Sequence, residues 1–105
     1  MTTFNDREKG FENKFAHDEE MQFKAAARRN KLLGLWAASL LGKTGADAQA
    51  YAMEVVQSDF AEVGHEDVIR KLTTDLDYRA DEPTIRAKMG ELLAIAKGQV
   101  LDETR

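Results

Sequence analysis

The stretch KLLGLWAASLLGK, residues 31–43, decides how this chain folds. Leu32, Leu33, Trp36, Leu40 and Leu41 recur at the threes and fours of an α-helix, and Gly42 follows them where a chain leaving a helix commonly turns left-handed. Upstream, QFKAAARRNK (22–31) consists of good helix formers, and Phe23, Ala26, Ala27 and Asn30 lead into the same face. The spacing predicts a long core helix that stops at Gly42, with its N-terminal limit left open.

Working outward, Thr44 stands three residues before Asp47. This is a capping-box-like start in which the hydroxyl would take an orphan amide and the carboxylate would face the positive end of the helix. A second helix is expected from there to about Glu62, ended by Gly64, with Ala48, Ala52, Val55 and Val56 on its apolar face beside Tyr51, Met53 and Phe60. EDVIRKLTTDLDY (66–78) fits a third, with Glu66 and Asp67 in its first turn and Val68, Ile69, Leu72 and Leu76 at helical spacing. DEPTIRAKMGELLAIAKGQVL (81–101) fits a fourth. There Asp81 or Glu82 caps a start favoured by Pro83, and Ile85, Met89, Leu92, Leu93, Ala96 and Val100 form the stripe. Short connections between such helices favour antiparallel neighbours, so the expected fold is all-α, a small four-helix bundle.

Composition sets the outer limits. At 105 residues and 43% hydrophobic content, the chain supports one small core. Nineteen acidic against fifteen basic residues give a net charge of −4, which is not the footprint of a nucleic-acid binder. The absence of cysteine excludes disulfides and thiolate metal sites. No apolar run approaches the roughly 18 residues that span a bilayer, and MTTFNDREKG lacks the apolar stretch of a signal peptide. The expectation is a soluble, intracellular protein without direct membrane insertion.

Two strings invite a chemical reading. AASLLGKT (37–44) satisfies a loose phosphate-loop pattern, but that chemistry needs a glycine-rich loop after a strand, and here the preceding residues are the middle of an amphipathic helix. Gly42 and Thr44 read instead as the stop of one helix and the start of the next. A weak nucleotide contact at Lys43 stays open; hydrolysis does not. His17 and His65 neighbour carboxylates yet lack the helical pairing of a zinc site, so both read as solvated. With no nucleophile motif either, the sequence predicts no enzyme, no metal site and no cofactor. Lys24, Arg28, Arg29 and Lys31 form the basic cluster, read as a wet helix face or as a secondary dock for an acidic partner.

The sharpest feature lies ahead of the bundle. Phe4, Phe11 and Phe15 are separated by seven and then four positions, which on a helix lines three rings along one edge among Asp6, Arg7, Glu8, Lys9, Glu12 and Lys14. Gly10 lowers the intrinsic helicity. Ordering about 15 residues costs on the order of 15 kcal/mol of backbone entropy, while each buried Phe returns only about 1.5–3 kcal/mol. A mobile N-terminal tail that folds where a partner supplies the missing contacts is the expectation, with packing back onto the bundle and membrane binding as the competing readings.

These residues also carry a resemblance. F-x-x-R at Phe4 and Arg7, KFAHDEE (14–20), FKAAARRNKLLGLWAASLLGKTG (23–45) and IRAKMGELL (85–93) resemble the zeta subunit of alphaproteobacterial ATP synthases. The resemblance covers most of the chain and is far more specific than the phosphate-loop string. It implies a regulatory inhibitor of ATP hydrolysis by the catalytic head of an F-type ATP synthase, cytoplasmic and peripheral to the inner membrane through that enzyme. In such a protein a mobile N-terminal segment inserts at an alpha/beta interface and reaches gamma, while a four-helix body stays outside. Carried onto this chain, residues 1–19 would insert, with Phe4, Arg7, Phe11, Lys14 and Phe15 as contacts, and 20–105 would form the body. The competing class is a helical adaptor that binds through a bundle face, with or without the weak nucleotide contact at Lys43.

Overall fold

A computed structural model describes residues 18–59 and 65–103. Among them the elements are all helical: α1 Glu19–Leu40, α2 Gly45–Ser58, α3 Glu66–Leu76, a 3-10 turn Asp77–Arg79, and α4 Glu82–Glu103. The expected all-α, four-helix architecture is therefore present. Helix α2 stops at Ser58, and the expected continuation to about Glu62 and the stop at Gly64 lie outside the described residues, as does the tail.

Each helix end has a local cause. Asp18, in extended backbone, accepts the amide of Met21 at 3.0 Å and so sets the start of α1, with Glu19 and Glu20 in the favourable first turn. At the other end Gly42 has φ +78. The amide of Gly42 returns to the carbonyl of Ser39 at 3.1 Å and that of Lys43 to the carbonyl of Ala38 at 2.9 Å. This paired return satisfies carbonyls that the last turn would otherwise leave open. Asp81 caps α4, its Oδ1 accepting the amide of Thr84 at 2.9 Å, and the side chain and amide of Thr84 together hold its carboxyl below the usual range.

The start of α2 departs from expectation. Thr44 occupies the cap position, but its hydroxyl takes no amide. Its carbonyl instead receives the amides of Asp47 and Ala48, at 3.2 and 3.4 Å. Gly45, with φ +56, opens the helix in a left-handed conformation, and the first amides are thereby turned away from the side chain that a capping box requires.

Helix α1 is the hub. Arg28 meets Gln99 and Glu103 near the end of α4, and Trp36 lies under Lys88 near its beginning, so α1 and α4 run antiparallel. The main core joins Leu33, Ala37 and Ala38 of α1 to Tyr51 and Val55 of α2, Val68, Ile69, Leu72 and Leu76 of α3, and Ile85 and Met89 of α4. A second, smaller cluster of Met21, Ala25 and Val100 closes the other end of the α1–α4 pair. The stripe expected for α3 is buried as read. That for α1 is rotated: Phe23 is 59% and Leu40 40% exposed, while Ala25, Gly34, Ala37 and Ala38 are buried. The cause is close helix approach. A Cβ at Gly34 would stand 2.7 Å from the Cα of Ala52, and only small residues let two backbones come so near.

Candidate functional site

The start of α1 places three of the four predicted basic residues on the surface and the fourth inside. Lys24, Arg28 and Lys31 line one groove together with Phe23 and Ala27 of α1, Met53 and Val56 of α2, and Glu103 of α4. Its volume is about 440 Å³. Arg29 points elsewhere and is only 2% exposed, because a residue one position on from Arg28 is rotated by about 100° about a helix axis. The structure thus does not bring Arg29 together with the other three.

The groove is an apolar floor between charged walls. Phe23 and Met53 are 59% and 50% exposed, well above what an interior residue shows. On the rim, Lys24 Nζ lies 3.3 Å from Glu20, and Arg28 Nη2 lies 2.7 Å from Glu103. Arg28 Nη1 also donates to Gln99 at 3.1 Å. Such exposed pairs contribute little to stability, at most about 1 kcal/mol each. The sequence named the cations but not the groove, since Met53 and Val56 read there as part of the buried face of α2.

Lys43 is accounted for by the end of α1. Its amide is spent on the carbonyl of Ala38, so it does not point outward to cradle a phosphate, and its ammonium lies 5.9 Å from the centre of the Tyr51 ring. Lys71 stands over the same ring at 5.1 Å. The Tyr51 hydroxyl donates to Asp75 at 2.8 Å, and burial together with that carboxylate pushes the phenol upward. On Asp75 burial pushes upward too, but hydrogen bonds from Tyr51 and Lys71 outweigh it and hold the carboxyl below its ordinary value.

His65, read as solvated, is half exposed, and its ring meets Arg29. His17 and the five predicted contact residues Phe4, Arg7, Phe11, Lys14 and Phe15 lie outside the described residues. Among the described residues no group of three or more His, Asp or Glu is arranged to hold a metal ion, and no helix is long and apolar enough to cross a membrane.

Four helices around a main core, with an apolar groove on the outside of the first, define a small all-α protein. The chain belongs to the ATPase inhibitor subunit zeta family, whose model matches residues 1–99. Membership gives it an inhibitory, regulatory role toward an ATPase and implies association with the ATP synthase. A structure solved in solution by NMR is similar at 60% identity, with a TM-score of 0.74, covering 79% of this chain and 98% of the other. No curated protein matches.

Proposed function

We propose that this protein inhibits ATP hydrolysis by wedging the segment ahead of α1 between the alpha and beta subunits of the F-type catalytic head, where it reaches gamma. In this reading residues 1–19 form the inhibitory element, and 20–105 form a body that stays outside. The protein works in the cytoplasm, peripheral to the inner membrane through the synthase. A helix lodged in a cleft that opens and closes on each turn stops rotation by binding one catalytic state more tightly than the others, and needs no covalent chemistry. Phe4, Phe11 and Phe15 supply buried anchors, while Arg7 and Lys14 set orientation.

The observation that carries this reading is the placement of the rings. They fall in a stretch too charged to build a core, which ends where Asp18 starts α1. The family match begins at residue 1 and so includes this stretch. The test is ATP hydrolysis by a purified catalytic head, with the full chain and with a form that begins at Asp18. The full chain is expected to inhibit and the shortened form not to; equal inhibition by both defeats the proposal.

One observation favours a second reading, in which a bundle face binds the partner. The Phe23–Met53 groove, with Lys24, Arg28 and Lys31 on its rim, suits an amphipathic segment with acidic flanks. In that case the shortened form keeps its affinity for the head, and Phe23→Ser with Met53→Ser loses it.

A further inference from the structure

At the corner where α2 ends and α3 begins, a buried cation is packed against a ring that can itself become one. Arg29 is 2% exposed. Its Nε donates to Asn30 Oδ1 at 3.0 Å, and its Nη2 and Nη1 lie 3.0 and 3.4 Å from His65 Nδ1 and Nε2. A guanidinium offers only donors, so any ring nitrogen bonded to it must accept. A neutral imidazole has a single acceptor, so only one of these two contacts can be a hydrogen bond from Arg29.

The carboxylate of Asp59 completes the arrangement. Its Oδ2 is 3.9 Å from Arg29 Nη2 and its Oδ1 is 3.6 Å from His65 Nδ1. Among the described residues that Oδ1 is buried without a hydrogen-bond partner, a costly condition for a charged oxygen. Burial also pulls the Arg29 guanidinium below its ordinary value, with Asp59 partly restoring it.

We propose that His65 is a proton-operated switch at this corner. When neutral, one of its ring nitrogens accepts from Arg29. When a proton arrives from solvent, the ring releases Arg29 and donates Nδ1–H to the unpartnered Oδ1 of Asp59. A protonated ring has no acceptor for either contact with Arg29 and presents a like charge at 3.0 Å, so the exchange does not depend on which neutral tautomer came first. The ring is 50% exposed, which gives the proton a route.

The remaining charges around the ring come from the other elements. Asp59 at the end of α2 and Glu66 of α3 are the acidic groups near it. The basic groups are Arg29 of α1 and Lys97 of α4, the latter across a cavity of about 280 Å³ that Gln22, Arg29, His65 and Leu93 also line. Gln22 and Arg29 lie in the half of α1 that follows Asp18. The switch therefore acts on how that half is seated.

The test is an NMR pH titration of the full chain that follows the imidazole nitrogens, the Arg29 Nε–H and the amides of residues 25–30 and 59. A His17→Gln background removes the other histidine. The Arg29 Nε–H and α1 amides are expected to shift with the same midpoint as the ring. His65→Gln, which keeps an acceptor for Arg29 but cannot titrate, should abolish that midpoint in α1, and Asp59→Asn should move the ring's midpoint to lower pH. A ring that titrates while Arg29 stays still, the same α1 response in His65→Gln, or an unchanged midpoint in Asp59→Asn would each overturn the switch.

Discussion

Between Leu33 and Ala38, α1 buries only carbon, whereas between Met21 and Asn30 its inner row ends in a guanidinium and an amide. The C-terminal half faces α2 at backbone distance and shares the main core with the other three helices. The N-terminal half leans on Val100 and Leu101 of α4 and is completed by the polar corner of Arg29, Asp59 and His65. Apolar contact carries no group that titrates, while a buried cation with a carboxylate oxygen at 3.9 Å depends on the charges around it. One helix thus has a stretch that holds the fold and a stretch that can respond, and the responsive one lies next to the segment proposed to inhibit.

The contrast is best broken by substitution. Leu33→Ala, at a fully buried site, is expected to cost about 2–5 kcal/mol in chemical denaturation, the largest single effect. Gly34→Ala should follow. Its new methyl meets the Ala52 backbone at 2.7 Å, so overpacking of about 1–3 kcal/mol outweighs the gain in helix propensity of about 1 kcal/mol. The same change at Gly90, where a Cβ meets nothing within 4 Å, should raise stability by up to about 1 kcal/mol. Opposite signs for one substitution would isolate close packing from propensity, and equal signs would break the comparison.

Smaller effects are expected at the responsive end. Asp18→Ala removes the bond to the Met21 amide and should cost about 1 kcal/mol. Amide exchange should rise in the first turn of α1 and stay unchanged from Leu33 to Ala38. A pH contrast belongs to the α2–α3 contact. The Asp75 carboxyl lies below its ordinary value of 3.8 in the folded chain. The unfolded chain therefore binds more protons just below that pH, so the stabilisation is present above 3.8 and lost as pH falls through the lower folded-state value. Asp75→Asn should flatten that acid limb in urea midpoints measured across the range.

How far the sequence could be read follows from the same division. The buried stripe of α3 was legible because Val68, Ile69, Leu72 and Leu76 are large, regularly spaced and set among polar residues, but the helix stops at Leu76, short of the expected Tyr78, where Asp77 takes φ +51 and opens a 3-10 turn. In α1 the reading followed the large side chains to Phe23 and Leu40, whereas the buried face belongs largely to alanines and Gly34. Small residues at a close crossing carry no hydropathy signal that announces them. The cap at Asp18 was there to be seen, since an aspartate followed by two glutamates is a strong start signal. The inward turn of Arg29 was not, because its partners Asp59 and His65 come from a corner about thirty residues away. The basic residues of the groove were legible one by one, but Met53 acquires its exposure only from how α2 packs.

In the proposed mechanism the rings ahead of α1 do the inhibiting, and the body holds them in place. The most direct measurement is ATP hydrolysis by the purified catalytic head titrated with the full chain and with its Phe11→Ala, Phe15→Ala variant, alongside thermal unfolding of both. The account predicts that the variant loses inhibition and unfolds at nearly the same temperature. Undiminished inhibition by a normally folded variant would contradict it.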